Sequence, residues 1–201
     1  KNDNVHTIYN GIDTEFYNNN LKIKNKNVEP KLLFAGNLFK YKNVQLLVKS
    51  MKKFVKKFPK THLEIVGDGE YKIELEKLIK NNHLEGNISL LGRINDEELK
   101  EKYLISDVYV SASTFETFGM PLLEAMACGK PVAVSNIPAH NELVKESNAG
   151  LCFSLNEDDV IDKITSVYEN KQDLGNNGRK FAERLNWNNI TKEYGKLYDD
   201  I

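Results

Sequence analysis

Few cysteines, no long hydrophobic run and no excess of positive charge are the first features of this 201-residue sequence. Its two cysteines, Cys128 and Cys152, lie in apolar contexts, so we expect buried free thiols and a reducing compartment instead of a disulfide framework. No apolar run approaches the roughly 20 residues of a membrane-spanning helix. The formal net charge of −1 argues against a protein that binds nucleic acid, because such proteins are usually basic.

Residue patterns that bind metals are also absent from the sequence. It contains no Asp-x-Asp, the usual anchor for a metal-bridged nucleotide, and no cluster of Cys and His ligands. The four histidines are scattered along the chain: His6, His62, His83 and His140. His140 follows the fifth predicted strand and could approach a site there, but we expect it at the surface. We therefore predict no metal and no separate cofactor.

Short apolar runs alternate with helical patterns through most of the chain. The predicted strands are 31–35, 62–66, 87–91, 107–111, 131–134 and 150–153. The predicted helices are 44–58, 71–79, 95–104, 121–128, 141–145, 156–168, 172–185 and 188–200, the last one introduced by Trp187. Such alternation predicts an α/β fold with a doubly wound, parallel, six-stranded Rossmann-like sheet. We expect the strand order 3-2-1-4-5-6, with ligands at the carboxyl ends of strands 1 and 4, where the order reverses.

The helix at 121–128 follows the fourth strand and carries an unusual charge. Pro121 suits a first helical position, and Gly129 suits a helix end. The residues between them are apolar except Glu124, and a buried carboxylate is costly without a partner. Glu116 lies eight positions earlier, so two glutamates frame a helix N-terminus, which attracts phosphate. The alternative is a core helix whose glutamate caps a neighbouring helix.

The wider motif adds a family resemblance to this interpretation. Glu116 and Glu124 form Glu-x7-Glu, together with Phe-Gly-x-Pro and Glu-Ala-x-Ala-x-Gly-x-Pro-Val. This combination resembles the signature of the family 4 retaining glycosyltransferases, which have the GT-B fold. The resemblance covers roughly residues 5–200 but only one of the family's two domains, the C-terminal donor-binding half. It implies a nucleotide-sugar donor and an N-terminal acceptor domain that is missing from this chain.

The loop after the first strand resembles the family's Gly-Arg-Leu-x-x-x-Lys-Gly. It contains four candidates for donor contact: Gly36, Asn37, Lys40 and Lys42. In the family, the Arg and the Lys pair with the pyrophosphate of the donor. Lys42 matches the family lysine, whereas Asn37 stands where arginine is usual and cannot supply its charged fork. Either Lys40 or the helix dipole then compensates, or donor binding is weak.

The resemblance assigns roles to further residues. Glu124 would accept hydrogen bonds from both ribose hydroxyls, and Glu116 would contact the transferred sugar, so Glu116 and Lys42 are the catalytic candidates. Backbone N–H groups would reach the phosphates or the sugar from three consecutive residues: Phe118, Gly119 and Met120. Gly67, in Gly-Asp-Gly, resembles a phosphate-side turn or is only a turn. Arg93 lies in a segment that resembles the one whose backbone contacts the base, or is a plain strand exit.

Domain organisation follows from composition and the resemblance together. We divide the chain into an interdomain linker, a nucleotide-sugar-binding domain and a C-terminal helix, at 1–30, 31–185 and 186–201. The linker contains an Asn10-Gly11 turn like the family's domain crossing, and a polar loop from 18 to 30. We recognise no signal peptide, and the first residue is not Met, so we expect a fragment of a longer protein.

The implied activity is transfer of a sugar from an NDP-sugar to a glycan or lipid-linked acceptor. The resemblance suggests surface polysaccharide or glycoconjugate assembly, in the cytoplasm or at the inner face of the membrane. Exposed lysines of the helix at 44–58 could touch anionic lipid, but we predict a solvated face. A nucleotide-sugar epimerase or phosphorylase-like half is one alternative. A non-catalytic nucleotide-binding or scaffolding module is another, and Asn37 in place of arginine is its support.

Overall fold

The computed structural model describes residues 6–18 and 29–199, and a parallel six-stranded sheet lies at its centre. The strands are β1 Lys31–Ala35, β2 His62–Val66, β3 Ile88–Gly92, β4 Val108–Ser111, β5 Val132–Ser135 and β6 Gly150–Phe153. Their order is β3-β2-β1-β4-β5-β6, which confirms the predicted doubly wound sheet. The order reverses between β1 and β4, where Leu32 lies opposite Val108.

Eight α-helices are found among the described residues, and they connect and follow the strands. They are α1 Val44–Lys57, α2 Lys72–Asn81, α3 Asp96–Ile105, α4 Met120–Ala127, α5 Pro138–Ser147, α6 Glu157–Glu169, α7 Lys171–Arg184 and α8 Trp187–Asp199. The side chain of Asn95 and that of Glu98 form the predicted capping box of α3. The polar face of α1 is exposed, as predicted.

A hydrophobic core lies on each face of the sheet because successive side chains of a strand point to opposite faces. Phe34 joins the core under α1, α2 and α6, whereas its neighbour Leu33 joins the core under α4 and α7. The second core also contains Tyr103 and Tyr109, both fully buried or nearly so. Central strands buried on both faces are typical of parallel sheets. Because both faces are covered, ligands can approach the sheet at the ends of its strands, and the reversal of strand order between β1 and β4 favours their carboxyl ends.

The segment before the sheet packs against the second core. The N–H of Ile12 donates to the carbonyl of Leu185 at 2.9 Å, and Ile12 also forms a parallel bridge with Asn186. The guanidinium of Arg179 donates to the carbonyls of Tyr17 and Ala127 at 2.7 and 2.6 Å. These contacts bring Tyr17 close to α4. Most of the predicted loop at 18–30 lies outside the described residues.

Several predicted boundaries were wrong by one residue, and one helix was predicted too short. Predicted strands 87–91, 107–111 and 131–134 begin one residue early, and the third and fifth also end one residue early. Asn87 lies outside β3 because its backbone N–H donates to the carbonyl of Leu84 in the turn before the strand. Helix α5 extends well beyond 141–145 because Pro138 occupies its first turn and Asn148 ends it with a left-handed backbone.

Both cysteines are free thiols, as predicted. Cys128 is buried at the end of α4, and burial raises the pKa of its thiol to about 12. Cys152 in β6 is only half-buried, and burial raises the pKa of its thiol to about 11. At neutral pH both sulfurs are therefore protonated and poorly reactive.

Candidate functional site

The loops after β1 and β4 meet at the point where the strand order reverses. The N–H and the hydroxyl of Thr114 donate to the carbonyl of Tyr41, at 2.8 and 3.0 Å. Beside this contact, Lys42 Nζ lies 2.6 Å from Glu116 Oε1. The two catalytic candidates of the sequence analysis, 74 residues apart, are thus brought into direct contact. The predicted meeting of these loops is confirmed.

Glu116 has a second donor besides the lysine. Ser113 Oγ donates to the same oxygen, Oε1, at 2.8 Å. The side chains of Lys42 and Glu116 are 13% and 15% exposed, so water reaches this pair only in part. A partly dry ion pair interacts more strongly than one in bulk water. Within residues 6–18 and 29–199, no donor contacts the other oxygen, Oε2, which remains an acceptor for a ligand.

Glu124 lies on α4, half-buried beside two tyrosines. The hydroxyl of Tyr103 donates to Glu124 Oε2 at 2.8 Å. Burial raises the pKa of Glu124, while hydrogen bonds from Tyr103 and Tyr17 act in the opposite direction. Burial, followed by the charge of Glu124, holds the pKa of Tyr103 well above its usual value, so Tyr103 remains a neutral donor. The two tyrosine hydroxyls therefore offset part of the cost that burial imposes on the carboxylate, which can still accept further hydrogen bonds.

The N-terminus of α4 completes one side of the site. Gly119 precedes the helix with a left-handed backbone (φ 98°), and no side chain among the described residues caps it. Its first N–H groups are thus available to an anion. Phe118 is half-buried against the ring of Tyr9, with 5.9 Å between centroids, and Met120 is half-buried as the first helical residue.

Two glycines let the loops after β1 and β2 approach each other. A Cβ atom on Gly67 would lie only 1.9 Å from the carbonyl oxygen of Gly36, and the backbone of Gly67 has φ +133°. Only glycine fits such a close approach in that conformation. Asn37 and Lys40 are exposed on the first of these loops, and Arg93 is exposed just after β3. The structure therefore places these three polar side chains along the carboxyl edge, and none of them takes part in the Lys42–Glu116 contact.

The predicted surface position of His140 is wrong. His140 is 1% exposed, because α5 begins at Pro138 and turns this side chain inward. Its Nδ1 lies 3.0 Å from Ser135 Oγ. Burial, the largest effect, lowers the pKa of His140, so the ring is neutral at pH 7. A Cβ built on Gly119 would lie 3.7 Å from the ring carbon Cδ2, which places His140 directly behind the N-terminus of α4.

Ser113, Tyr103 and Tyr17 are the site residues that sequence reasoning missed. Ser113 occurs three positions before Glu116, a spacing that suits a local side-chain contact and could have suggested it. Tyr103 follows the apolar pattern of α3 and has no sequence signal that distinguishes it from an ordinary core residue. Tyr17 precedes the sheet by more than a dozen positions, and only the packing of that segment brings it near Glu124.

In the two described ranges, no group of three or more His, Cys, Asp or Glu side chains could hold a metal ion. None of the described helices combines the length and the apolar character that crossing a membrane requires.

The fold and this site define one Rossmann-like half of a GT-B glycosyltransferase. A sequence profile described as glycosyl transferases group 1 matches residues 16–181. Because the match covers most of the chain, the protein belongs to the group 1 glycosyl transferases.

Three similar proteins illustrate this relationship. The chain is 31% identical to an uncharacterized glycosyltransferase of Methanocaldococcus jannaschii, over 98% of this chain and 54% of that protein. It superimposes on sucrose-phosphate synthase from Thermosynechococcus elongatus with a TM-score of 0.84 and 26% identity, over 97% of this chain and 52% of that one. It superimposes on the pneumococcal O-GlcNAc transferase in complex with UDP and GlcNAc with a TM-score of 0.75 and 27% identity, over 85% of this chain and 35% of that one. The chain spans about half the length of the first curated relative.

Proposed function

We propose that this chain is the donor-binding half of a family 4 retaining glycosyltransferase, and that its donor is a UDP-sugar. The observation that carries the proposal is the contact of Lys42 with Glu116 at the carboxyl edge, beside the uncapped N-terminus of α4. A cation, a carboxylate with a free oxygen and exposed N–H groups match a sugar linked to a pyrophosphate. The UDP and GlcNAc bound to the pneumococcal relative support this choice of ligand.

The negative end of the donor binds at the N-terminus of α4. The N–H groups of Phe118, Gly119 and Met120 face the phosphates there, and Lys42 supplies the nearest positive charge. Asn37 and Lys40 are exposed on the same loop, so the ammonium of Lys40 replaces part of the charge that an arginine at position 37 would provide. Gly36 and Gly67 keep this loop close to its neighbour without side chains in the way.

The two glutamates contact different parts of the donor. Glu124 accepts hydrogen bonds from the ribose hydroxyls, since an ionised carboxylate has about four acceptor positions and Tyr103 and Tyr17 use only two of them. Glu116 accepts from the hydroxyls of the transferred sugar through its free Oε2. The backbone around Arg93, at the far end of the carboxyl edge, contacts the base.

The chemical step needs positioning and charge stabilisation more than a protein base. Front-face displacement with retention lets the leaving phosphate accept the proton of the acceptor hydroxyl, so this half supplies no general base. Lys42 and the N–H groups of α4 stabilise the negative charge that develops on the leaving pyrophosphate. Glu116 orients the sugar, and no metal or separate cofactor takes part.

The rest of the enzyme lies in a second domain. An N-terminal acceptor-binding domain completes the site, and the acceptor is a glycan or a lipid-linked sugar in surface polysaccharide or glycoconjugate assembly. The whole enzyme works in the cytoplasm, with peripheral attachment to the inner face of the membrane. In the division proposed, residues 1–30 link the domains, residues 31–185 bind the donor and residues 186–201 form the C-terminal helix.

A non-catalytic module of the same fold is the second candidate. The exposed amide of Asn37, where the family has arginine, favours it. A panel of UDP, GDP, ADP and their glucose esters in a thermal-unfolding assay separates the two. A ligand at 100 times its Kd stabilises the folded state by about 2.7 kcal/mol. We expect UDP and UDP-glucose to raise the melting temperature, and stabilisation by none of the nucleotides would support the non-catalytic module.

We also predict that the chain folds alone but transfers no sugar. The two cores of the α/β domain are formed by its own residues, whereas the acceptor side of the site is absent. Cooperative unfolding with no sugar transfer to added glycans or lipid acceptors is the expected result. Sustained turnover by these residues alone would show that the acceptor site lies within this half.

A further inference from the structure

One oxygen of Glu116 accepts hydrogen bonds from two side chains, a charged lysine and a neutral serine. Lys42 Nζ and Ser113 Oγ lie 2.6 and 2.8 Å from Oε1. Ser113 has no exposed surface, whereas the side chain of Lys42 is 13% exposed. We propose that Ser113 is a positioning residue, which holds Glu116 in its orientation when Lys42 moves toward the pyrophosphate of the donor. This inference rests on the proposed function of the same site.

Lys42 cannot pair equally with the carboxylate of Glu116 and with the pyrophosphate of the nucleotide-sugar. Its ammonium sits on a flexible four-carbon chain and has three donors. Without a bound nucleotide-sugar, the partner of the Lys42 ammonium is Glu116. A bound pyrophosphate presents a larger negative charge and competes for the same ammonium. If Lys42 were the only partner of Glu116, the carboxylate would lose its anchor at the moment when the sugar arrives.

Ser113 has no comparable alternative, because the proton directions around it are determined. Its single hydroxyl proton points to Glu116, so Ser111 Oγ, 3.2 Å away, must be the donor in their contact. The hydroxyl of Ser135 donates to the carbonyl of Ser113 at 2.5 Å. With that proton used, Ser135 Oγ can only accept from His140, whose Nδ1 must carry a proton and lies 3.0 Å from Ser135 Oγ and 3.2 Å from the Ser135 carbonyl oxygen.

This chain of hydrogen bonds fixes Ser113 through both its hydroxyl and its backbone. Ser135 and His140 have no more than 1% exposed surface, and satisfied buried networks of this kind are rigid. The support therefore runs from α5 through β5 to the loop after β4. Loss of this support should affect binding of the sugar and not binding of the nucleotide. Without Ser113, Glu116 has no donor left when Lys42 moves to the pyrophosphate, and Oε2 is no longer held in the position that the sugar needs.

Calorimetric titration of Ser113→Ala with UDP and with UDP-sugars tests this inference. UDP-glucose, UDP-galactose and UDP-GlcNAc are first titrated into the unmutated chain, and the one that binds most tightly is the UDP-sugar used with the variants. We expect about tenfold weaker binding of the UDP-sugar and no more than twofold change for UDP, since charged hydrogen bonds have that order of effect. Ser113→Thr keeps the hydroxyl and should restore binding. Ser50→Ala is the matched control, because Ser50 is also a buried serine but its hydroxyl donates to the carbonyl of Leu46 within α1.

The outcomes separate this inference from the proposed function. If the unmutated chain binds neither UDP nor any UDP-sugar, the proposed function fails. If it binds both, and Ser113→Ala weakens them equally or not at all, the positioning role is wrong. Ser113→Cys, of nearly the same volume but with a weak donor, replaces the alanine variant if that variant does not fold. Its expected loss of UDP-sugar binding is severalfold, again with UDP unaffected.

Discussion

Two lysine–carboxylate pairs, one at each edge of the sheet, have nearly equal lengths but different surroundings. At the amino edge, Lys171 Nζ lies 2.7 Å from Asp107 Oδ1, and the N–H of Lys31 donates to Oδ2 at 3.0 Å. At the carboxyl edge, both protein donors to Glu116 share Oε1. The side chain of Asp107 is 3% exposed, and that of Glu116 is 15% exposed. Asp107 therefore bonds only to the fold, whereas Glu116 keeps one oxygen for a ligand.

The difference shows how one kind of ion pair serves two purposes. Removing one partner of a buried pair is costly because the other charge and any bonded N–H lose their compensation. Loss of Glu116 should cost less, because both of its donors are side chains, whereas Asp107 also accepts from a backbone N–H that is fixed at the start of β1. Stability should therefore depend more on Asp107, and ligand binding more on the carboxyl edge.

The largest expected effect is on stability, for Asp107→Ala. This change leaves the Lys31 N–H and the Lys171 ammonium without their acceptor, at a cost of about 3 kcal/mol. For a domain of this size, we expect the melting temperature to fall by roughly 6–12 °C. Differential scanning calorimetry measures the fall, and UDP binding to the remaining folded protein should be unchanged. A melting temperature within 1 °C of the parent would remove the distinction between the two pairs.

The next largest effect is on nucleotide affinity, for Glu124→Ala. If Glu124 accepts from the ribose, the change should weaken UDP and UDP-sugar alike by about tenfold to a hundredfold, because hydrogen bonds to a charged group contribute about 1.5–3 kcal/mol. Isothermal titration calorimetry with both ligands is the measurement. Unchanged affinity for both would show that the ribose lies elsewhere.

Glu124→Gln is the folding control for that experiment. The folded-state pKa of Glu124 is raised above its ordinary value of 4.5, mainly by burial. A carboxyl group whose pKa is raised by folding stabilises the folded state at a pH below its unfolded pKa. This stabilisation is lost as the pH rises through the folded-state pKa, so at pH 7 the ionised group lowers the free energy of unfolding. We therefore expect Glu124→Gln to melt at the same or a higher temperature at pH 7, with weaker UDP binding. A lower melting temperature would contradict this balance.

The smallest expected effect is that of metal removal. The sequence has no Asp-x-Asp, and we propose that Lys42 and the N-terminus of α4 provide the charge that a metal would otherwise supply. UDP affinity with EDTA should equal that with added magnesium within about twofold. A loss of most of the affinity on chelation would mean that a cation bridges the phosphates.

The sheet was predictable because its pattern is local and repeated. Runs such as Leu32-Leu33-Phe34 are apolar on both faces, which only a doubly covered parallel strand explains well. Strand order and switch point then followed from general rules of topology. The meeting of the loops that carry Lys42 and Glu116 followed from that order, since the loops after β1 and β4 must be neighbours.

The environment of the site was not predictable in the same way. Tyr103 bonds Glu124 from another helix, and no local pattern relates two side chains that are 21 residues apart. His140 looked like a surface residue because sequence alone does not give the rotation of a short helix. Its burial depends on where α5 begins, and Pro138 sets that point three residues earlier than predicted. Long-range side-chain contacts of this kind are decided by packing.

Calorimetric titration of Glu116→Ala with UDP and with a UDP-sugar tests the claim on which the proposed site depends. That claim is that Glu116 holds an oxygen for the transferred sugar, while the nucleotide binds to other groups. The account predicts about tenfold weaker binding of the UDP-sugar, nearly unchanged binding of UDP and a melting temperature closer to the parent than that of Asp107→Ala. Equal losses for the two ligands, or no loss for either, would contradict it.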